Sequence, residues 1–335
     1  MAAEATGTMR VADAGERALI ARITARLAQA PWVIVGPGDD AAVVEPERGA
    51  LEVVTTDAVV EGVHFDLAFA PPEAVGHRAL AVNLSDVAAM GGRPRTAVLS
   101  LVLPDALSVA TLDRMLDGLL ALADQHDVAI VGGNIARSPG PWIIDLTLLG
   151  SVGRRRVLTR DGARPGDEVY VTGAVGGAAA GLAQLRGEAG AAGPLVERCL
   201  WPEPRVRMGL LLGRLRAATA CLDLSDGLAA GLRQLAEASR VGLDIDADAV
   251  PVQPEAVAWH AGRGTDAVAA ALDGGDDYEL LFTARPTRRG RLRAVRREAR
   301  GVAVTRIGIV TPAGTLRLRG AAGVRELPEG FEHFR

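Results

Sequence analysis

Acidic, amide or hydroxyl residues, mostly beside glycine, recur in six clusters, and each cluster follows or ends an apolar run rich in β-branched residues. The clusters are Gly38-Asp39-Asp40, Thr55-Thr56-Asp57, Asn83-Leu84-Ser85-Asp86, Gly132-Gly133-Asn134, Asp223-Leu224-Ser225-Asp226-Gly227 and Gly274-Gly275-Asp276-Asp277-Tyr278-Glu279. Carboxylates at the ends of buried elements are costly to desolvate unless they are paired or neutralised. Oxygen ligands of this kind suit Mg²⁺, which commonly bridges protein carboxylates to substrate phosphates. The pattern therefore predicts a site that binds several Mg²⁺ ions and handles phosphate.

The chain contains no lysine, so all 37 of its Lys and Arg residues are arginine. This excludes a P-loop lysine, a kinase strand lysine and a Schiff-base lysine, and the G-x-x-x-x-G-K-[ST] pattern is also missing. If the protein handles a nucleoside triphosphate, metal ions and arginine must balance the phosphate charge.

Charge and composition exclude several other classes of protein. The formal net charge of −4 gives no reason to expect nucleic-acid binding, and the basic stretch 285–300 is interpreted as a solvated helix face. No apolar stretch approaches the roughly 20 residues of a membrane span. Cys199 and Cys221 lack metal-binding spacing and indicate a reducing compartment. We therefore expect a soluble cytoplasmic protein without a membrane segment.

At 335 residues the chain suits two domains. Helical and strand patterns mix in both halves without regular alternation, which favours two α+β domains over a barrel or one doubly wound sheet. We expect an N-terminal domain over residues 13–153 and a C-terminal domain over residues 154–335. The predicted elements include a helix over 72–90 and short strands over 51–55 and 128–131.

Two of the clusters permit either metal ligation or an ordinary structural role. Alternation along a strand sends Thr55 and Asp57 to one face, where they can ligate Mg²⁺ or simply form a polar strand end. Asn83 and Asp86 lie three residues apart on the predicted helix, a spacing that suits ligation or an interhelical hydrogen bond.

The other clusters are turn-like segments with similar alternatives. Ser225 or Asp226 can cap the helix that follows, although the N-terminus of that helix can also bind phosphate. The glycines before Asn134 permit close backbone approach to a phosphate, yet alone they form only a weak motif. The density of acids in Asp276-Asp277-Tyr278-Glu279 is hard to explain as a simple turn.

The order of these motifs resembles the thiamine-monophosphate kinase family, which is related to aminoimidazole ribonucleotide synthetases and selenophosphate synthetases. The resemblance covers about residues 13–334 and includes Gly38-Asp39-Asp40, Thr56-Asp57, Glu61-Gly62-Val63-His64-Phe65, the stretch from Ala81 to Gly91, Leu158-Thr159-Arg160, Asp223-Leu224-Ser225-Asp226-Gly227, the stretch from Gly274 to Leu280 and Gly330-Phe331-Glu332-His333-Phe334. The resemblance implies an aminoimidazole-ribonucleotide-synthetase-like α+β fold and a homodimer whose N-terminal domains pair their sheets. It also implies transfer of the γ-phosphoryl group of ATP to thiamine monophosphate with the help of several Mg²⁺ ions.

The resemblance assigns roles to individual positions. It implies metal ligands at Asp40, Thr55, Thr56, Asp57, Asp86, Asn134, Asp223 and Asp226. It implies ATP contacts at Gly133, Asn134, Arg160 and Ser225, and contacts with thiamine monophosphate at His64, Asp276 and Phe331. Many relatives carry Asp where this chain has Asn134, whose amide oxygen can ligate Mg²⁺ but carries no charge.

No general base is expected, because the attacking group is a phosphate oxygen that is already deprotonated near neutral pH.

Two other functions are compatible with the same motifs. One is an ATP-dependent enzyme of the aminoimidazole ribonucleotide synthetase type, and the other is a non-catalytic regulator that binds a Mg-nucleotide. Phe331 and Phe334 lie in the last five residues. Either both pin the chain end to the core, or Phe331 stacks on a ring of thiamine.

Overall fold

The computed structural model describes residues 9–299, 301–321 and 323–330, which divide between two compact units. The first unit contains the residues up to Leu84 together with Pro94–Ser151. The second contains Ser85–Arg93 together with the residues from Val152 onward. The division falls inside one helix, so Ser85 and Asp86 belong to the second unit. None of the helices in the described ranges is long and apolar enough to cross a membrane.

The elements up to residue 153 combine helices with one main sheet. The helices are α1 (Val11–Ala14), α2 (Glu16–Thr24), α3 (Pro72–Ala89) and α4 (Val109–Gln125). The strands are β1 (Val33–Val35), β2 (Val43–Val44), β3 (Ala50–Val60), β4 (Arg93–Pro104), β5 (Ala129–Ser138) and β6 (Ile143–Gly153). Strands β1 and β2 pair with each other, and the rest form a four-stranded sheet in the order β3-β6-β4-β5, with β4 and β5 parallel.

The four-stranded sheet has one buried face and one half-exposed face. On β6, Ile144 and Leu146 are fully buried, whereas the alternating residues Asp145 and Thr147 are partly exposed. This period of two is what a strand produces when only one face of its sheet is covered within the unit. The half-exposed face can therefore carry polar side chains without interrupting a strand.

The elements after residue 153 combine a larger sheet with surrounding helices. The helices are α5 (Gly177–Gly187), α6 (Pro194–Leu200), α7 (Val206–Arg214), α8 (Leu228–Ser239), α9 (Pro254–Ala261), α10 (Ala267–Asp273) and α11 (Arg289–Glu298), with 3₁₀ turns at Ala247–Ala249 and Pro286–Arg288. The strands are β7 (Glu168–Thr172), β8 (Ala220–Asp223), β9 (Gly242–Asp246), β10 (Leu280–Ala284), β11 (Val304–Thr311), β12 (Leu316–Gly320) and β13 (Gly323–Glu326). They form a seven-stranded sheet in the order β13-β12-β9-β11-β7-β10-β8.

The arrangement of β8 and β10 decides where the functional loops of the second unit lie. These strands are antiparallel neighbours, and Asp223 at the end of β8 pairs with Leu280 at the start of β10. Every residue of both strands is buried, and Leu222 and Leu281 belong to the same core cluster as Leu228 of α8. As a result, the segment that follows β8 and the segment that precedes β10 lie side by side.

The predicted α+β fold class is confirmed, but two predicted strands were too short. Strand β3 was expected to end at Thr55 and continues to Val60, and β5 was expected over 128–131 and continues to Ser138. The polar residues predicted to end these strands lie within them, at half-buried or exposed positions of this sheet. Polarity at such a position reflects exposure and does not indicate the end of a strand.

Candidate active site

The last residue of β8 presents a buried carboxylate next to a second one from the last turn of α3. The Asp223 side chain is buried, and its Oδ2 accepts a hydrogen bond from Ser85 Oγ at 2.7 Å. Burial, followed by the negative charge of Asp86, raises the pKa of Asp223 to about 6, although the hydrogen bond from Ser85 lowers it. The structure therefore brings together Asp86 and Asp223, two of the predicted metal ligands.

This carboxylate pair fits a divalent cation. A cation beside the two groups would stabilise their ionised forms and remove the mutual repulsion that raises the pKa of Asp223. The donors are oxygens, as Mg²⁺ requires. Arg160, predicted to contact ATP, also stabilises the Asp223 carboxylate electrostatically. Within the described ranges, this site included, no group of three or more His, Cys, Asp or Glu side chains is arranged to hold a metal ion.

The start of α8 differs from the capping arrangement that the sequence permits. Gly227, with φ of 94°, occupies the N-cap position, and no side chain caps the helix. Ser225 is exposed and Asp226 is partly exposed, and neither is the N-cap that the sequence permits. Ser225 and Asp226 therefore have no capping role, although they lie beside the N-terminus of a 12-residue helix.

The acidic loop, residues 274–279, docks on the segment that follows β8. The backbone N–H of Asp276 donates to the carbonyl of Ser225 at 2.7 Å, and that of Tyr278 donates to the carbonyl of Leu224 at 2.9 Å. The hydroxyl of Tyr278 donates to Oδ1 of Asp276 at 3.0 Å. The loop that carries the predicted substrate contact Asp276 is thereby attached to the segment that carries Ser225 and Asp226.

The other two acids of the acidic loop have structural partners that sequence reasoning missed. The buried Asp277 carboxylate accepts from the backbone N–H of Gly176 at 2.7 Å, just before α5. Glu279 is wholly buried and pairs with Arg198 and Arg205. These arginines lie 81 and 74 residues away in the sequence, and no local pattern links them to Glu279. The density of acids in this motif therefore has a partly structural cause.

In the first unit, Thr55, Thr56 and Asp57 lie in the middle of β3. The Thr56 hydroxyl lies 3.1 Å from Oδ1 of Asp145 and 3.0 Å from the hydroxyl of Thr147, both on β6. Strand alternation places Thr55 and Asp57 on the opposite face. The side chain of Thr56 therefore lies on one face of the sheet, and those of Thr55 and Asp57 lie on the other.

Asn134 and Gly133 lie within β5, not in a turn after it. Asn134 is exposed and pairs in the parallel ladder with Ser100 of β4. A Cβ atom added at Gly133 would lie 1.9 Å from the carbonyl oxygen of Leu99. Glycine is thus required at residue 133 by the close approach of β4, whatever its role toward a phosphate.

Gly133→Ala is expected to lower the free energy of unfolding by about 3 kcal/mol, the upper end of overpacking costs. Gly132→Ala is the matched control, because a Cβ there would meet only Val98 Cγ1, at 3.9 Å. Its effect should stay below about 1 kcal/mol. Urea unfolding followed by circular dichroism measures both variants, and equal midpoints would contradict the close-approach explanation.

The remaining predicted residues lie in loops or outside the described part of the chain. Asp40 is exposed, and its backbone N–H donates to Oδ1 of Asp39 at 2.9 Å. His64 is exposed, and its Nδ1 accepts from the backbone N–H of Val60 at 3.1 Å. This ring therefore carries its proton on Nε2 when neutral. Phe331 lies outside the described residues.

Comparisons with known proteins match both halves of the chain. The model of the AIR synthase related protein, N-terminal domain, matches residues 38–152, and that of the C-terminal domain matches residues 164–320. Thiamine-monophosphate kinase of Escherichia coli strain K12 is 39% identical over 329 residues, which covers 96% of this chain and 98% of the relative. The chain belongs to the thiamine-monophosphate kinase family.

Solved structures of this family share the fold. Thiamine-monophosphate kinase from Stenotrophomonas maltophilia K279a is 39% identical, with a TM-score of 0.80 over 91% of this chain and 96% of that chain. AaThiL complexed with AMPPCP and TMP is 34% identical, with a TM-score of 0.77 over 98% of this chain and 99% of that chain. The resemblance to thiamine-monophosphate kinases and the expected aminoimidazole-ribonucleotide-synthetase-like fold are therefore confirmed.

Proposed function

We propose that this chain transfers the γ-phosphoryl group of ATP to thiamine monophosphate, giving thiamine diphosphate and ADP. The observation that carries this proposal is the alignment with thiamine-monophosphate kinases over nearly the whole chain, 96% for the Escherichia coli relative. The AaThiL structure adds that a relative of this fold binds AMPPCP, an ATP analogue, together with TMP. A cytoplasmic location is part of the proposal, and the two buried free thiols agree with it.

We propose oxygen ligands for Mg²⁺ in each unit. In the first unit they are Asp40, Thr55, Asp57 and Asn134, together with Thr56, whose side chain lies on the opposite face of β3 and therefore does not share an ion with those of Thr55 and Asp57. In the second unit they are Asp86, Asp223 and Asp226. The Asp86 and Asp223 pair supports this assignment best, because its repulsion calls for a cation. The ATP contacts are Gly133, Asn134, Arg160 and Ser225, and the contacts with thiamine monophosphate are His64, Asp276 and Phe331.

The chemistry follows from the charges of the substrates. When bound, Mg²⁺ would neutralise the phosphate charge during transfer. Ser85 holds Asp223 in one orientation through its hydrogen bond, so that this carboxylate is preorganised toward a cation. Arg160 can hold phosphate oxygens in place of the missing lysine. The acceptor is a phosphate oxygen that has already lost its proton, so no side chain acts as a general base.

A homodimer is part of the proposal, with the N-terminal sheets pairing. The half-exposed face of the four-stranded sheet supports it, because Val54 on β3 is 63% exposed and Leu149 on β6 is half-buried. Apolar side chains grouped on one face of a sheet indicate an interaction surface, as isolated ones do not. Sedimentation velocity should give a species of twice the 34.7 kDa chain mass, and a monomer at all concentrations would contradict the dimer.

A coupled ADP-release assay tests the function directly. Thiamine monophosphate, thiamine, formylglycinamidine ribonucleotide and no acceptor are each offered with ATP and Mg²⁺. ADP release that depends on thiamine monophosphate is expected, with thiamine diphosphate as the second product. Release only with formylglycinamidine ribonucleotide would indicate the aminoimidazole ribonucleotide synthetase type, and nucleotide binding without turnover would indicate a regulator.

Phe331→Ala is expected to raise the KM for thiamine monophosphate about tenfold, which corresponds to about 1.4 kcal/mol of lost contact. The cationic thiazolium ring of thiamine favours an aromatic face, and the KM for ATP should stay nearly unchanged. Steady-state kinetics and a thermal melt measure the variant. A sharp fall in melting temperature with an intact KM would instead indicate that Phe331 pins the chain end to the core.

A further inference from the structure

The carboxylate that ends the acidic loop is buried and fully bonded. Glu279 has no exposed side-chain surface. Arg205 binds it through two hydrogen bonds, from Nε to Oε2 at 2.7 Å and from Nη2 to Oε1 at 2.5 Å. Arg198 Nη2 donates to Oε1 at 2.8 Å, and Thr172 Oγ1 donates to Oε2 at 2.6 Å. A buried charge with this set of donors is held in one geometry.

The two arginines differ in what else they hold. Nη2 of Arg198 also donates to the backbone carbonyl of Asp277 at 2.6 Å, so Arg198 ties the loop backbone to the buried carboxylate. Nη1 of Arg205 instead donates to Oε2 of Glu203, whose side chain is 73% exposed and lies outside the loop. The two side chains are about equally buried, at 12% and 13% exposed. Arg205 is therefore a matched control for Arg198.

The backbone that Arg198 holds is strained. Asp276 has φ of 66° and Tyr278 has φ of 51°. Left-handed backbone is sterically unfavourable for tyrosine and is adopted only occasionally by aspartate. Such conformations persist where the surrounding structure enforces them, and they occur often at ligand-binding loops. Arg198 contacts the carbonyl of Asp277, which lies between these two left-handed residues.

We propose that Arg198 is a positioning residue that holds the strained acidic loop in the conformation that presents Asp276 to the substrate. This inference rests on the proposed function, in which Asp276 contacts thiamine monophosphate. Without Arg198, the Asp277 carbonyl loses the guanidinium that donates to it, and the loop is free to relax. Arg205 still neutralises Glu279 in that variant. Binding of thiamine monophosphate then weakens more than binding of ATP.

Amide hydrogen exchange in the ligand-free protein tests the hold on the loop without reference to activity. In Arg198→Ala, the amides of Asp276 and Tyr278 should exchange at least about tenfold faster than in the wild type, because local opening becomes easier. In Arg205→Ala, the exchange rates of the same amides should change less than about threefold. This variant nevertheless loses the bidentate ion pair with Glu279 and should melt at a lower temperature. Unchanged loop exchange in Arg198→Ala overturns the proposal.

Steady-state kinetics tests the consequence for the substrate. Arg198→Ala should raise the KM for thiamine monophosphate about tenfold and the KM for ATP less than about twofold, whereas Arg205→Ala should leave both near wild type. Arg198→Lys keeps the charge with fewer donors, and its KM for thiamine monophosphate should fall between those of the wild type and the alanine variant. It replaces the alanine variant if that variant does not fold.

Two KM values that rise equally overturn the link to thiamine monophosphate, and so do two unchanged KM values despite faster loop exchange. A wild-type enzyme that fails to turn over thiamine monophosphate refutes the proposed function instead, and the exchange data still decide whether Arg198 holds the loop.

Discussion

Asp86→Asn is expected to lower kcat by at least about a hundredfold while the protein stays folded, because a charge that holds the metal is lost. Asparagine preserves the shape of the side chain but removes the negative charge beside the buried Asp223. The same charge raises the pKa of Asp223, so its removal relieves repulsion in the ligand-free protein. The melting temperature should therefore stay the same or rise. Coupled ADP release at saturating substrates and a Mg²⁺ titration measure the effect.

Asp273→Asn is the control for this variant. Asp273 is exposed and ends α10, one residue before the acidic loop, and it has no assigned role in binding. Its removal changes the net charge equally but should leave kcat near wild type. If Asp86→Asn keeps near-wild-type turnover even at limiting Mg²⁺, Asp86 is not a metal ligand.

Gly173→Ala is expected to lower the free energy of unfolding by at least about 4 kcal/mol, the scale of breaking a buried ion pair. A Cβ atom there would lie 2.0 Å from Oε1 of Glu279, within the ion pairs with Arg198 and Arg205. Gly173 also has φ of 57°, which alanine adopts only with strain. Chemical unfolding should show the loss, or the variant should fail to accumulate as folded protein.

Gly166→Ala separates the backbone cost from the collision. Gly166 has φ of 90° and lies shortly before β7, but a Cβ atom there would meet nothing within 4 Å. This variant should lose only about 1 kcal/mol, the cost of positive φ alone. If the two variants are equally stable, the Glu279 carboxylate is not as tightly confined as the structure indicates.

The sequence was a good guide wherever a feature depends on neighbours in the chain. Helix α3 was predicted over 72–90 and is found at Pro72–Ala89, because its apolar residues recur with helical spacing and glycines follow it. The α+β class followed in the same way from the mixture of local patterns. The two strands predicted too short, β3 and β5, carry polar residues on a sheet whose exposure no local pattern shows.

For the candidate site, the sequence by itself determined which chemistry is available: carboxylates and hydroxyls in or beside apolar segments, glycines beside them and no lysine. Only the tertiary structure decided which acids serve that chemistry. It pairs Asp223 with Ser85, 138 residues away, and gives Glu279 to Arg198 and Arg205. The physical reason is that the role of a carboxylate depends on the donors and charges within a few ångströms. Those neighbours are brought together by the packing of strands and helices and not by their order in the chain.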